Sequence, residues 1–189
     1  METKKKLTTR KIVFVALMAA LTAVGSALRI TIPLDLGSGT TSFHLGNIMC
    51  ALSGLLFGPW LGGLAAGLGS AIYDMTNPLY ISECWLTFLM KGAYGLVAGL
   101  VAYTGRKEWG MGKAAVAAAA AAVTYAVLYL LKSFIKNMVV KGLPVAGAFL
   151  ALGGKVPATV FNAVIAVIFA PVLALAIRKA LEKNRLTLD

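Results

Sequence analysis

The stretch from His44 to Asp74 reads HLGNIMCALSGLLFGPWLGGLAAGLGSAIYD. Two uncharged runs, Leu45 to Phe57 and Trp60 to Tyr73, are split there by Gly58 and Pro59. Proline removes a helix hydrogen bond and glycine lets the chain turn, so the pair punctuates a helix. Each run is shorter than the roughly 20 residues that span a bilayer, but flanking polar residues extend both. The stretch therefore predicts two short membrane helices joined by a tight turn.

Working outward, four more uncharged runs appear: Ile12 to Leu28, Trp85 to Tyr103 (interrupted by Lys91), Ala114 to Leu131 and Val156 to Ile177. The last carries Pro171, where a kink is expected. The composition agrees: 59% of the 189 residues are hydrophobic, 13% are charged, and mean hydropathy is +0.83. These values lie far from soluble-globular usage. The fold class expected is an all-α integral membrane protein with six transmembrane helices. Its parts are a basic N-terminus (residues 1–11), a membrane domain (12–178) and a C-terminal tail (179–189). The basic start followed by an apolar run resembles a signal peptide, but no cleavage site stands apart from the apolar chain. It is read as a retained first span, and the length leaves no room for a separate soluble catalytic domain.

An even number of spans puts both termini on one side. Twelve of the eighteen Lys and Arg residues fall on that side, and the other six are Arg29, Lys91, Lys132, Lys136, Lys141 and Lys155. The positive-inside rule then places both termini in the cytoplasm of a bacterial plasma membrane. It also explains the net charge of +11 without nucleic acid. Cys50 and Cys84 form neither a disulfide framework nor a metal site. No G-x-S-x-G, H-E-x-x-H or Walker A pattern occurs, so neither an enzyme, a metal nor a cofactor is expected. Energy for active transport has to come from a partner.

Polar residues collect in the outer halves of the helices. Arg29 ends the first, His44 and Asn47 open the second, and Tyr73, Asp74 and Asn77 close the third. Glu83 and Trp85 precede the fourth, and Lys91 lies about 9 Å inside it. Tyr125, Tyr129, Lys132 and Lys136 make one stripe on the fifth at four-, three- and four-residue steps. Asn162 sits two turns into the sixth. Such a layer suggests a cavity open to the outside, with Lys91, Tyr125, Tyr129, Lys132, Asn162, His44, Asn47 and Trp85 as candidate substrate contacts. Each has a plainer reading: snorkelling for Lys91, helix capping for His44, interfacial belt for the tyrosines, helix pairing for Asn162. Arg29 and Asp74 are expected to pair across the mouth. Six outer bases exceed Asp35, Asp74 and Glu83 by about three charges, which points to an anionic group on the substrate or to anionic lipid headgroups. The loop from Ile30 to Phe43, ITIPLDLGSGTTSF, has a length suited to a lid or an ordinary connector.

Small residues give the remaining signal. Ala16, Ala20, Ala23 and Ala27, with Ala19, place a small-residue face on the first helix, where another helix can approach closely in lipid. The pairs Gly58–Gly62, Gly63–Gly67 and Gly95–Gly99 read as packing inside the bundle.

With its alanine series, the stretch from His44 to Asp74, its LFGPWLGG turn and its length, the chain resembles the substrate-binding S component of energy-coupling factor (ECF) transporters. The resemblance runs from about Thr8 to Lys179. It implies a six-helix vitamin-binding protein that docks through Ala16, Ala20 and Ala23 onto a transmembrane T component carrying two ABC-type ATPases. It also implies that Pro33 to Ser42, including Asp35, Gly37 and Gly39, form a lid. The whole subunit then reorients within the membrane lipid to release substrate inward. Family substrates include riboflavin, thiamine precursors, pantothenate, pyridoxine, folate, biotin and cobalamin. The rival reading is a stand-alone facilitator or channel, or a membrane scaffold.

Overall fold

The computed structural model describes residues 9–34, 39–105 and 109–184. In chain order these form α1 (Thr9–Ala27), β1 (Arg29–Leu34), β2 (Gly39–His44), α2 (Gly46–Met75), a short 3₁₀ turn (Ile81–Glu83), α3 (Cys84–Tyr103), α4 (Met111–Val139), α5 (Val145–Gly153) and α6 (Val156–Lys183). Among the described residues, four helices are long and apolar enough to cross a membrane: α2, α3 with its preceding turn, α4 and α6. A shorter apolar helix runs over Lys11–Ala27.

The longest of these, α2, folds back on itself. Gly58 has φ 76° and ψ −174°, a left-handed backbone that favours glycine, and Pro59 starts the returning arm. The arms over 46–57 and 59–75 then pack side by side. Ser53 Oγ donates to the Gly62 carbonyl at 3.0 Å, and Cys50 Sγ lies 3.7 Å from Ser70 Oγ. Residues twenty apart in one straight helix would sit about 30 Å apart, so this is a hairpin.

Glycine makes these approaches possible. A Cβ on Gly62 would meet the Gly54 Cα at 2.5 Å, and one on Gly54 would overlap the Gly95 carbonyl oxygen of α3. Gly63, Gly67 and Gly99 likewise face neighbouring backbone, in keeping with internal packing. Gly54→Leu should lower the thermal unfolding midpoint in detergent, with a loss of about 1–3 kcal/mol or more from overpacking. Gly112→Ala, which meets nothing within 4 Å, is the control. Equal midpoints for both variants would refute the close packing of α2 on α3.

At one end of the bundle Phe14 stacks near Phe57, ring centroids 6.3 Å apart. Tyr103 donates to the Leu55 and Leu56 carbonyls, and the Arg178 guanidinium lies 4.6 Å over Trp109. The hairpin tip, the start of α1 and the end of α6 thus gather together. The core above them is packed with Leu55, Ala98, Ala118, Ala121, Ala166 and Ala170, all fully buried.

Two features differ from the sequence expectation. The chain is predominantly helical, as the all-α class expects, but β1 and β2 add a hairpin that pairs antiparallel from Arg29↔His44 to Leu34↔Gly39. The β-branched Ile30, Thr31, Ile32, Thr40 and Thr41 favour the extended chain. Arg29 and His44 are therefore strand residues rather than helix ends. The short helix α5 fills the connection before α6. Of the expected lid, Pro33 and Gly39 lie in the paired strands, whereas Asp35 and Gly37 fall outside the described residues.

Candidate functional site

Opposite the hairpin tip, α2, α3, α4, α6 and the β-hairpin surround a cavity of about 390 Å³. That lies within the roughly 300–1,000 Å³ of small-molecule sites. Among the described residues its wall is rich in charge: six cationic side chains and two carboxylates, with Leu79 and Met90 as the aliphatic contributors. The cations are Arg29, Lys91, Lys132, Lys136, Lys141 and Lys155, the same six set apart by the positive-inside count.

Helical period decides which residues face it. On α3, Thr87, Met90 and Lys91 follow the three- and four-residue spacing of one face and line the cavity. Trp85 shares the opposite face with Leu89, and the two are 60% and 57% exposed. The candidate contact at Trp85 is thereby corrected: its side chain points out of the bundle. Lys91 is only 4% exposed, which removes snorkelling as its explanation. Its ammonium donates to Asn47 Oδ1 and lies 4.0 Å over the Tyr125 ring.

On α4 the stripe lies as its spacing predicts, with Tyr125, Tyr129, Lys132 and Lys136 all on the wall. Tyr125 and Tyr129 stack with centroids 5.9 Å apart and ring planes 20° apart. Lys132 and Lys136 both pair with Glu83. The same face adds Ser133 and Asn137, both buried, which the sequence reading passed over. The four-residue step from Tyr129 to Ser133 and on to Asn137 was the signal available. The Asn137 amide nitrogen has no hydrogen-bond partner among the described residues.

Lys155 enters from the start of α6. It donates to Ser133 Oγ at 3.3 Å and lies 5.7 Å from the Tyr129 ring centre. Burial, then the charges of Lys141, Lys132 and Lys136, push its pKa down to about 8 against the opposing pull of Glu83.

Asn162 has a different part from the one expected. It borders the cavity, but Oδ1 accepts from the His44 N–H at 3.0 Å and Nδ2 donates to the Ser42 carbonyl at 2.8 Å. Together with the edge-on Phe43–Phe161 contact at 4.8 Å, it clamps β2 onto α6. His44 also lines the wall, with its Nδ1 buried and without a hydrogen-bond partner among the described residues. The expected Arg29–Asp74 pair is absent among the described residues. Arg29 instead lies over the Tyr73 and Tyr80 rings at 4.3 and 5.0 Å. Cation–π contact accommodates its charge without a carboxylate.

On α1, Ala16 and Ala20 are exposed and Ala23 is half-buried. Ala19 turns inward, where its carbonyl oxygen approaches Gly69. The outward alanine face is accordingly Ala16, Ala20 and Ala23, flanked by Ala27.

An apolar helical bundle with four helices long enough to cross a bilayer among the described residues, and a cavity at one end, defines a multi-pass membrane protein. Residues 6–179 match the family model for the ECF-type riboflavin transporter S component, and the chain belongs to that family. A Pyrococcus woesei protein, designated the uncharacterized protein in the gap 3′ region, is 38% identical over 80 residues, 42% of this chain. The aligned part spans about half the length of that curated relative.

Proposed function

We propose that the protein is the substrate-capturing subunit of an ECF-type ATP-driven importer in a bacterial plasma membrane. Six crossings, counting α1 and the two arms of α2, put both termini in the cytoplasm and open the cavity outward. A vitamin or vitamin precursor enters there, contacts Lys91, Tyr125, Tyr129, Lys132, Asn47 and His44, and is covered by the β-hairpin. The subunit docks through Ala16, Ala20 and Ala23 on a T component with two ABC-type ATPases. It then reorients as a body within the lipid to release its cargo inside.

The observation that carries this reading is the polarity boundary in the bundle. Among the described residues the buried charged side chains, Asp74 and Lys91, both line the cavity, and buried Leu55, Ala98, Ala118, Ala121, Ala166 and Ala170 fill the other half. A solute carrying charge has no hydrogen-bonding path through such a layer, because unpaired polar groups are costly in an apolar interior. A fixed channel or facilitator needs that path, whereas a body that turns around its bound cargo does not.

Native mass spectrometry of the detergent-purified protein tests the reading. A copurified molecule of vitamin mass, released by mild denaturation, is the expected result. An empty protein that also binds no member of a vitamin panel would count against substrate capture and in favour of a scaffold.

A further inference from the structure

We infer that the cavity takes a compact organic anion with at least two negative charges, in preference to an uncharged ring system. This rests on the substrate-capture reading and names the class of cargo. Three independent observations carry it.

First, the charges on the wall do not balance. Glu83 is occupied by Lys132 and Lys136, which leaves Asp74, among the described residues, as the one further carboxylate on a wall that also carries Arg29, Lys91 and Lys155. Among the described residues, Asp74 reaches none of these within ion-pair distance. Second, two ammoniums bracket the stacked tyrosines. Lys91 lies over Tyr125 at one end of the pair, and Lys155 stands beside Tyr129 at the other. Neither has a carboxylate partner among the described residues, and Lys91 is buried where an uncompensated charge is expensive. A bound anion supplies the missing countercharge at both points. Third, Asn137 is 1% exposed on the same wall, with an amide donor that has no partner among the described residues. A ligand oxygen satisfies it, as buried donors require.

Among the described residues, Leu79 and Met90 are the only aliphatic side chains on the wall. The ring faces of Tyr80, Tyr125 and Tyr129 add to them, and a cation already lies against each.

The test uses the full-length protein in detergent, with thermal shift and equilibrium binding as readouts. The probes are riboflavin against riboflavin 5′-phosphate, glutaramide against glutarate, and pyrophosphate against chloride at equal ionic strength. The expected result is that the anionic members stabilise the protein and that riboflavin 5′-phosphate binds at least about tenfold tighter than riboflavin. Lys155→Gln should lower that preference about tenfold, and Lys91→Met serves as the second variant should Lys155→Gln fail to fold.

The preference should also weaken as pH rises through about 8, where Lys155 loses its proton. The groups facing Lys155 are Tyr129, Lys132, Ser133 and Lys136 of α4, Lys141 after it, and Glu83 of the 3₁₀ turn. Tighter or equal binding of riboflavin overturns the inference. So does the absence of stabilisation by every anionic probe, or stabilisation that persists undiminished in both lysine variants. Because binding in detergent involves no partner subunit, these outcomes leave the docking reading to be judged separately.

Discussion

Ala20→Trp should abolish uptake while leaving substrate binding intact. Ala20 is exposed on α1 and contributes nothing to the packed interior, which uses Val15, Met18, Ala19 and Thr22 of the same helix. A side chain added on that face meets no neighbour within the chain, so the stability change should stay within about 0.5 kcal/mol. A partner helix packed closely on the alanine face would meet it. Overpacking there costs about 1–3 kcal/mol, so docking should weaken roughly ten- to hundredfold. Ala16→Trp should behave in the same way. The measurement pairs ATP-dependent uptake in reconstituted vesicles with ligand affinity in detergent. Uptake near the normal rate in Ala20→Trp would remove the alanine face from the coupling mechanism. Joint loss of uptake and affinity would mark a folding defect and support a stand-alone transporter.

Lys91→Met separates binding from folding in the opposite sense. An ammonium within a membrane helix costs about 2.5–3.5 kcal/mol on insertion scales, and methionine of similar length removes that cost. The variant should unfold at the same temperature or higher, with the unpaired Asn47 amide offsetting part of the gain. Affinity for an anionic ligand should fall by about 2–5 kcal/mol, a loss of thirtyfold to several thousandfold, because the buried countercharge is gone. A retained affinity would place the substrate away from Lys91. A sharp fall in unfolding temperature would instead make Lys91 a structural residue held by Asn47 and Tyr125.

The pairing of these variants reflects how the molecule divides its work. The alanine face lies outside the core and the cavity lies within one end of it. A substitution in one therefore leaves the other unperturbed, as expected for separated sites with no shared contacts.

Much of the site could be read from local pattern. The stripe of Tyr125, Tyr129, Lys132 and Lys136 follows helical period alone, and period is enough when every member faces one way. Lys91 was legible because a lysine inside an apolar run demands a cavity or a partner. Trp85 was misread because nearness along the chain to Glu83 says nothing of direction. Two residues on, at Thr87, the helix has turned to its inner face. Asn162 satisfied the rule that a buried amide needs partners, but those partners came from β2, 118 and 120 residues away in sequence. No local pattern carries such a contact.

From its residues alone, the chain determined its solvent, its helices, the break at Gly58-Pro59, the outward alanine face and the six bases of the cavity. All of these follow from hydropathy, period and backbone stereochemistry, which act over one or two helical turns. Tertiary packing settled the rest. It folded α2 into two touching arms, paired β1 with β2, turned Ala19 and Trp85 to opposite fates, and drew Lys155 to the tyrosine stack. Those outcomes depend on which helix faces lie against one another. That is decided by steric fit between distant segments, such as Gly54 against Gly95 and Gly69 against Ala19.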